Sequence, residues 1–138
     1  MLQQITLHLA RNAEFPEGSA DRGYDIVAPL NELGHLDEDA WRTLRSQCRV
    51  RRFWSGEDDR HGMLVHHAGG TKGATWKIDY DGNGPDDEET GFRLETHHFV
   101  EGEYVSIRDE DGLSHTFKIA RIRPVNRRQG ESGVAKTA

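Results

Sequence analysis

Near the C-terminal end of the chain, two segments impose the tightest constraint on its fold. In Phe99-Val100-Glu101-Gly102-Glu103-Tyr104-Val105-Ser106-Ile107 and in Thr116-Phe117-Lys118-Ile119-Ala120-Arg121-Ile122, apolar residues alternate at Val105 and Ile107 and at Phe117 and Ile119. That period matches a strand with one face on a core and the other in water. Asp109-Glu110-Asp111-Gly112 lies between them and has the composition of a turn, so the pair predicts an antiparallel hairpin.

Further alternating runs extend this reading upstream. Ile5, Leu7 and Leu9 alternate with Gln4, Thr6 and His8, which predicts a first strand. After the turn-forming stretch 12–23, Tyr24, Ile26, Ala28 and Leu30 alternate again, and Pro29 predicts that this strand ends there or lies at an edge, because proline has no amide hydrogen for a ladder. Cys48–Trp54 reads as a third strand, followed by a polar break over 55–60. Met63-Leu64-Val65 and Thr75–Tyr80, joined by a glycine loop, read as another hairpin, and Phe92-Arg93-Leu94 as a short strand after the acidic loop 81–90. One helix is expected from Asp37. Its carboxylate can cap the first turn, Leu36 and Trp41 occupy the positions of a hydrophobic staple, and Trp41, Leu44 and Cys48 form one apolar stripe.

The string Phe-x-x-Gly-Glu-x-Val-x-Ile at 99–107, with its acidic turn and returning strand, resembles the entry hairpin of small barrels such as SH3-like and PUA-like modules. The resemblance covers residues 99–123 and carries over no ligand residue. Together these signals predict a mostly-β α+β fold, a strongly bent antiparallel sheet or small SH3-like or PUA-like barrel with one packed α-helix. With 138 residues and 34% hydrophobic content, residues 1–125 are expected to form a single domain. Residues 126–138 offer only Val134 as a sizeable apolar group and are expected to form a flexible C-terminal tail.

Cys48 is the single cysteine, so one chain can build neither an internal disulfide nor a cysteine-based zinc site. The first ten residues lack the basic start and apolar run of a signal peptide, and no stretch approaches the length of a membrane span. A cytoplasmic protein without a membrane partner is expected. The net charge of −6 conceals segregation: residues 79–91 carry six acids and no base, residues 42–52 carry five arginines and no acid, and residues 113–138 carry six bases against one acid. Such blocks usually form solvated faces that pair with one another, though they can also mark partner surfaces.

Three constellations have the residue types for ligand chemistry. Asp79-Tyr80-Asp81-Gly82-Asn83-Gly84 fits the first six positions of a calcium loop, with Asp79, Asp81, Asn83 and Asp87 as oxygen ligands, but Thr90 stands where a bidentate acid belongs. An acidic hairpin turn explains the same residues. His61, His66, His67, His97 and His98 fall in two regions and could supply a transition-metal site, although adjacent histidines on a strand point to opposite faces. Arg49, Arg51 and Arg52, with Arg121, Arg123, Arg127 and Arg128, could join into one basic patch, with Phe53, Trp54 or Trp76 to stack on bases.

Gly69-Gly70-Thr71-Lys72-Gly73 lacks phosphate-loop spacing, no nucleophile elbow is present, and Cys48 reads as a small buried hydrophobe. No cofactor is expected. The sequence therefore favours a non-enzymatic protein-binding or regulatory accessory module with an unidentified protein partner. The alternatives are an RNA-binding barrel that uses its arginines and a histidine-metal enzyme.

Overall fold

A computed structural model describes residues 2–70, 73–80, 88–91, 98–108 and 113–125. Among the described residues eight strands run in chain order: β1 (Leu2–Leu9), β2 (Ser19–Pro29), β3 (Arg49–Trp54), β4 (Glu57–Gly70), β5 (Gly73–Tyr80), β6 (Glu88–Gly91), β7 (Tyr104–Arg108) and β8 (Ser114–Pro124). Between β2 and β3 lie one short helix, α1 (Glu38–Leu44), and a 3₁₀ turn (Arg45–Gln47). Each strand pairs antiparallel with the next, and β8 returns to β1, so the curled sheet closes into an up-and-down barrel.

An eight-stranded barrel has an interior just wide enough for side chains to fill it. Here the inward positions of the alternating strands do so: Ile5 and Leu7 from β1, Tyr24 and Ile26 from β2, Trp76 and Ile78 from β5, and Phe117 and Ile119 from β8 are all buried. Tyr24 meets Phe117 edge to face at 5.1 Å, one of the stabilising ring geometries. The expected mostly-β fold with one packed helix is what the chain forms.

Helix α1 covers one end of the barrel. Asp37 caps it by accepting from Ala40 N at 3.1 Å, and the staple residues Leu36 and Trp41 are both buried. The Trp41 indole donates to Leu64 O at 2.9 Å and meets Trp76 edge to face at 5.8 Å. The helix is shorter than its apolar stripe, because the chain tightens into the 3₁₀ turn after Leu44. Cys48 then stands at the entry to β3, where its thiol donates to Leu44 O at 3.5 Å. Burial pushes that thiol up to about 11.

Several boundaries differ from the sequence reading for identifiable reasons. β7 begins only at Tyr104, because Gly102 (φ +93°) turns the chain and donates its amide to Ile119 O at 2.8 Å. Phe99 is nonetheless buried, reached from a loop whose amide bonds Gly34 O at 2.9 Å. The polar break after β3 shrinks to the two-residue turn Ser55-Gly56, and the charged residues that follow belong to β4. β2 starts within the turn-rich stretch, at Ser19, and ends at Pro29 as expected. Phe92–Leu94 and the tail 126–138 lie outside the described residues. The last described residue, Val125, donates its amide to Leu2 O at 3.0 Å. Among the described residues no helix is long and apolar enough to cross a membrane.

Candidate functional site

Because odd-numbered Ile5, Leu7 and Leu9 fill the interior, Gln4, Thr6 and His8 stand on the outside of β1. The register extends this outer face sideways in rows. One row crosses five strands as Tyr104 on β7, Lys118 on β8, His8 on β1, Gly23 on β2 and Phe53 on β3. A second runs Arg121, Thr6, Asp25, Arg51 and His61 from β8 to β4. A third begins with Arg123, Gln4 and Val27.

Gly23 shapes the first row. A Cβ there would lie 1.8 Å from Leu7 O, so the close approach of β1 and β2 excludes a side chain. The bare position lets His8 and Phe53 meet across β2, edge to face at 6.3 Å between centroids. Two depressions open beside them and share His8 and Ala20. One, of about 460 Å³, is bordered by Thr6, Asp25, Arg51, Phe53 and Arg121; the other, of about 290 Å³, by Arg11, Glu17, Tyr104 and Lys118. The two adjoin at His8 and Ala20, making a trough whose lining comes from β7, β8, β1, β2 and β3 and from the loop after β1.

The lining carries the acids Glu17, Asp21 and Asp25 as well as the cations Arg11, Arg51, Lys118 and Arg121, and their settings differ. Asp25 is largely covered: Thr6 Oγ1 donates to its Oδ1 at 2.8 Å, and Arg51 donates through Nε at 3.1 Å to Oδ2. Arg51 also reaches Asp59 at 3.0 Å and lies over the Phe53 ring at 4.8 Å. Hydrogen bonding to Asp25 is the largest of the influences that raise the Arg51 guanidinium above its ordinary range, so it is a permanent cation tied into the wall. Lys118, Arg121 and Arg123 are different. They stand exposed on β8 and make no ion pair among the described residues.

Of the arginines singled out from sequence, the fold therefore brings Arg51, Arg121 and Arg123 to one outer wall, with Arg49 exposed on β3 and donating to Met63 Sδ at 3.4 Å. Arg52 takes the opposite side of β3. It sits in the interior row with Tyr24, stacks on Trp54 at 4.4 Å and pairs with Glu57 at 3.2 Å. Strand alternation is the reason, and it also sends Phe53 outward while Trp54 and the buried Trp76 face the core. Arg127 and Arg128 lie outside the described residues. Tyr104, Lys118, His8 and Arg11 were not singled out, although the parity of Tyr104 and Lys118 against Val105 and Phe117 marks both as outward.

The candidate metal ligands are dispersed where they are described. Asp79 is exposed on β5, opposite Met63 and Glu88; Asp81, Asn83 and Asp87 lie outside the described residues. His61 is exposed on β4 opposite Arg51. His66 is buried between Trp41 and Trp76, with Nε2 3.7 Å from Glu38 Oε1. His98 stands beside His35 at 5.8 Å between ring centroids. His67 lies on β4, and His97 is outside the described residues. Among the described residues, no group of three or more His, Cys, Asp or Glu side chains is arranged to hold a metal ion.

Fold and face together define a closed eight-stranded antiparallel barrel with a charged, partly aromatic trough on its outer wall. Compared with protein-family models, with curated proteins and with solved structures, the chain matches none.

Proposed function

We propose that this chain is a non-enzymatic cytoplasmic binding module, and that it takes a polyanionic partner on the outer wall formed by β8, β1, β2 and β3. The observation that carries this reading is the gathering of Lys118, Arg121 and Arg123, exposed and without an ion pair among the described residues, beside the trough that Arg11 and Arg51 also line. These cations come from sequence positions as far apart as 11 and 123, and the closed meander places them on one wall. Neutralising several anionic groups releases their counterions, which makes such binding strong at low salt and steeply salt-dependent. The acid-rich stretch from Asp79 to Gly91 includes β6 and the end of β5, which do not contribute to this wall, so the overall negative charge is compatible with it.

Retention on immobilised heparin, used as a generic polyanion, tests the reading. The wild-type chain is expected to be retained, and Arg121→Glu with Arg123→Glu to elute at clearly lower salt. Both residues are exposed, so the variant is expected to keep its fold and its circular dichroism spectrum. Equal elution of the two folded proteins would overturn the proposal.

A further inference from the structure

We infer that the polyanion is a single-stranded nucleic acid, its bases stacked on Tyr104 and Phe53 and its phosphates set against Lys118, Arg121 and Arg123. This inference rests on the proposed basic wall and adds the chemical class of its ligand. The wall does not consist of cations alone. Tyr104, 53% exposed on β7, and Phe53 on β3 stand at the two ends of one register row, with Lys118, His8 and bare Gly23 between them. Four strand spacings of the curled sheet separate the ends, roughly 19 Å along its surface, so a short oligonucleotide that reaches both rings follows the curve of the barrel across the strands.

Ring chemistry separates the possible polyanions. An acidic peptide or a sulfated polysaccharide has charges for the arginines but no flat π face for the rings. A nucleic acid duplex has such faces, but they are stacked on one another and out of reach. An unpaired strand offers phosphates and open base faces together along its length, and stacking tolerates any base sequence because every base has a π face. Tyr104 makes no ring contact among the described residues and borders both the Lys118–Arg11 depression and its neighbour beside Asn12 and Thr116. Phe53 carries Arg51 over its ring at 4.8 Å, so the guanidinium that anchors the wall also steadies the second platform.

Fluorescence anisotropy with a labelled 12-mer of oligouridylate at low salt tests this, with heparin retention measured on the same full-length proteins. Expected are binding by the wild type, a loss of about 5- to 100-fold in affinity for Tyr104→Ala with heparin elution unchanged, and recovery to near wild-type affinity for Tyr104→Phe. Because Tyr104 is exposed, the alanine variant is expected to fold; Phe53→Ala gives an independent second reading. If oligouridylate binds but neither Tyr104→Ala nor Phe53→Ala weakens it, the stacking inference is overturned. Retention on heparin with no binding of oligouridylate also overturns it and leaves the polyanion reading standing. Failure to bind either probe overturns both.

Discussion

The barrel has two unlike walls. Along β1 and β2 seven residue pairs keep one register before it shifts at Leu9, and β1 pairs at seven positions with β8, with one shift between Thr6 and Leu7. On the other side, β6 is four residues long and meets β7 through only two pairs, Thr90 with Arg108 and Gly91 with Ile107. Charge follows the same division. The long-laddered wall carries Arg51, Arg121, Arg123 and Lys118 on its outside, whereas Asp79 of β5 is in register with Glu88 of β6. Side chains that must hold a fixed geometry sit best on rigid elements, so the better-laddered wall is the one suited to present a ligand surface. The narrow β6–β7 seam completes closure and removes a free sheet edge, which would otherwise template pairing with another chain.

The largest expected effect comes from destroying the close approach that shapes the trough. Gly23→Val places a branched side chain against the backbone of β1, where even a Cβ would lie 1.8 Å from Leu7 O. A loss of about 3 kcal/mol, the upper part of the usual overpacking range, is expected in urea unfolding. A loss below about 0.5 kcal/mol would mean that β1 and β2 separate easily, and the claim of a rigid wall would fail.

A second effect is read through pH at the helix-covered end of the same wall. The Cys48 thiol is raised from 9.0 to about 11 in the folded chain, so it stays protonated there while an unfolded thiol ionises. Its contribution to stability is fully present below about pH 9 and is lost as pH rises through about 11. Folded protein at pH 8 should react with a disulfide reagent far more slowly than protein in denaturant. Comparable rates would place Cys48 in a mobile part of the structure, and replacement by Ala should flatten the stability profile between those two pH values.

The smallest effect belongs to the other wall. Asp79→Lys changes the opposition to Glu88 into an attraction, with a gain of about 0.2–1 kcal/mol expected in thermal melts at low salt and less at high salt. A loss of stability in place of a gain would show that Asp79 already serves a favourable interaction, as a calcium ligand would, and repeating the melt with added calcium would distinguish the two.

Much of this division could be read from the chain before its fold. The β8 hairpin, the first strand and the capped helix were legible because period-two alternation, and an acid three residues before the amide it caps, are local signals. Closure was not, since pairing of β1 with β8 joins residues more than a hundred positions apart, and nothing local encodes it. The basic patch was visible as arginine-rich blocks, but counting charge in blocks grouped Arg52 with Arg51. Strand parity separates them, sending Arg52 to Trp54 and Glu57 and leaving Arg51 on the wall with Asp25. The aromatic row escaped notice because Tyr104 and Phe53 lie about fifty residues apart, and only the register of five strands aligns them.

The central claim, that the wall of β8, β1, β2 and β3 is the working surface, is tested most directly by amide chemical-shift mapping during titration with the oligouridylate 12-mer. The expected result is that shifts concentrate at His8, Gly23, Phe53, Tyr104, Lys118 and Arg121, with the amides of β5 and β6 unmoved. Shifts confined to β5 and β6, or shifts spread evenly over both walls, would contradict it.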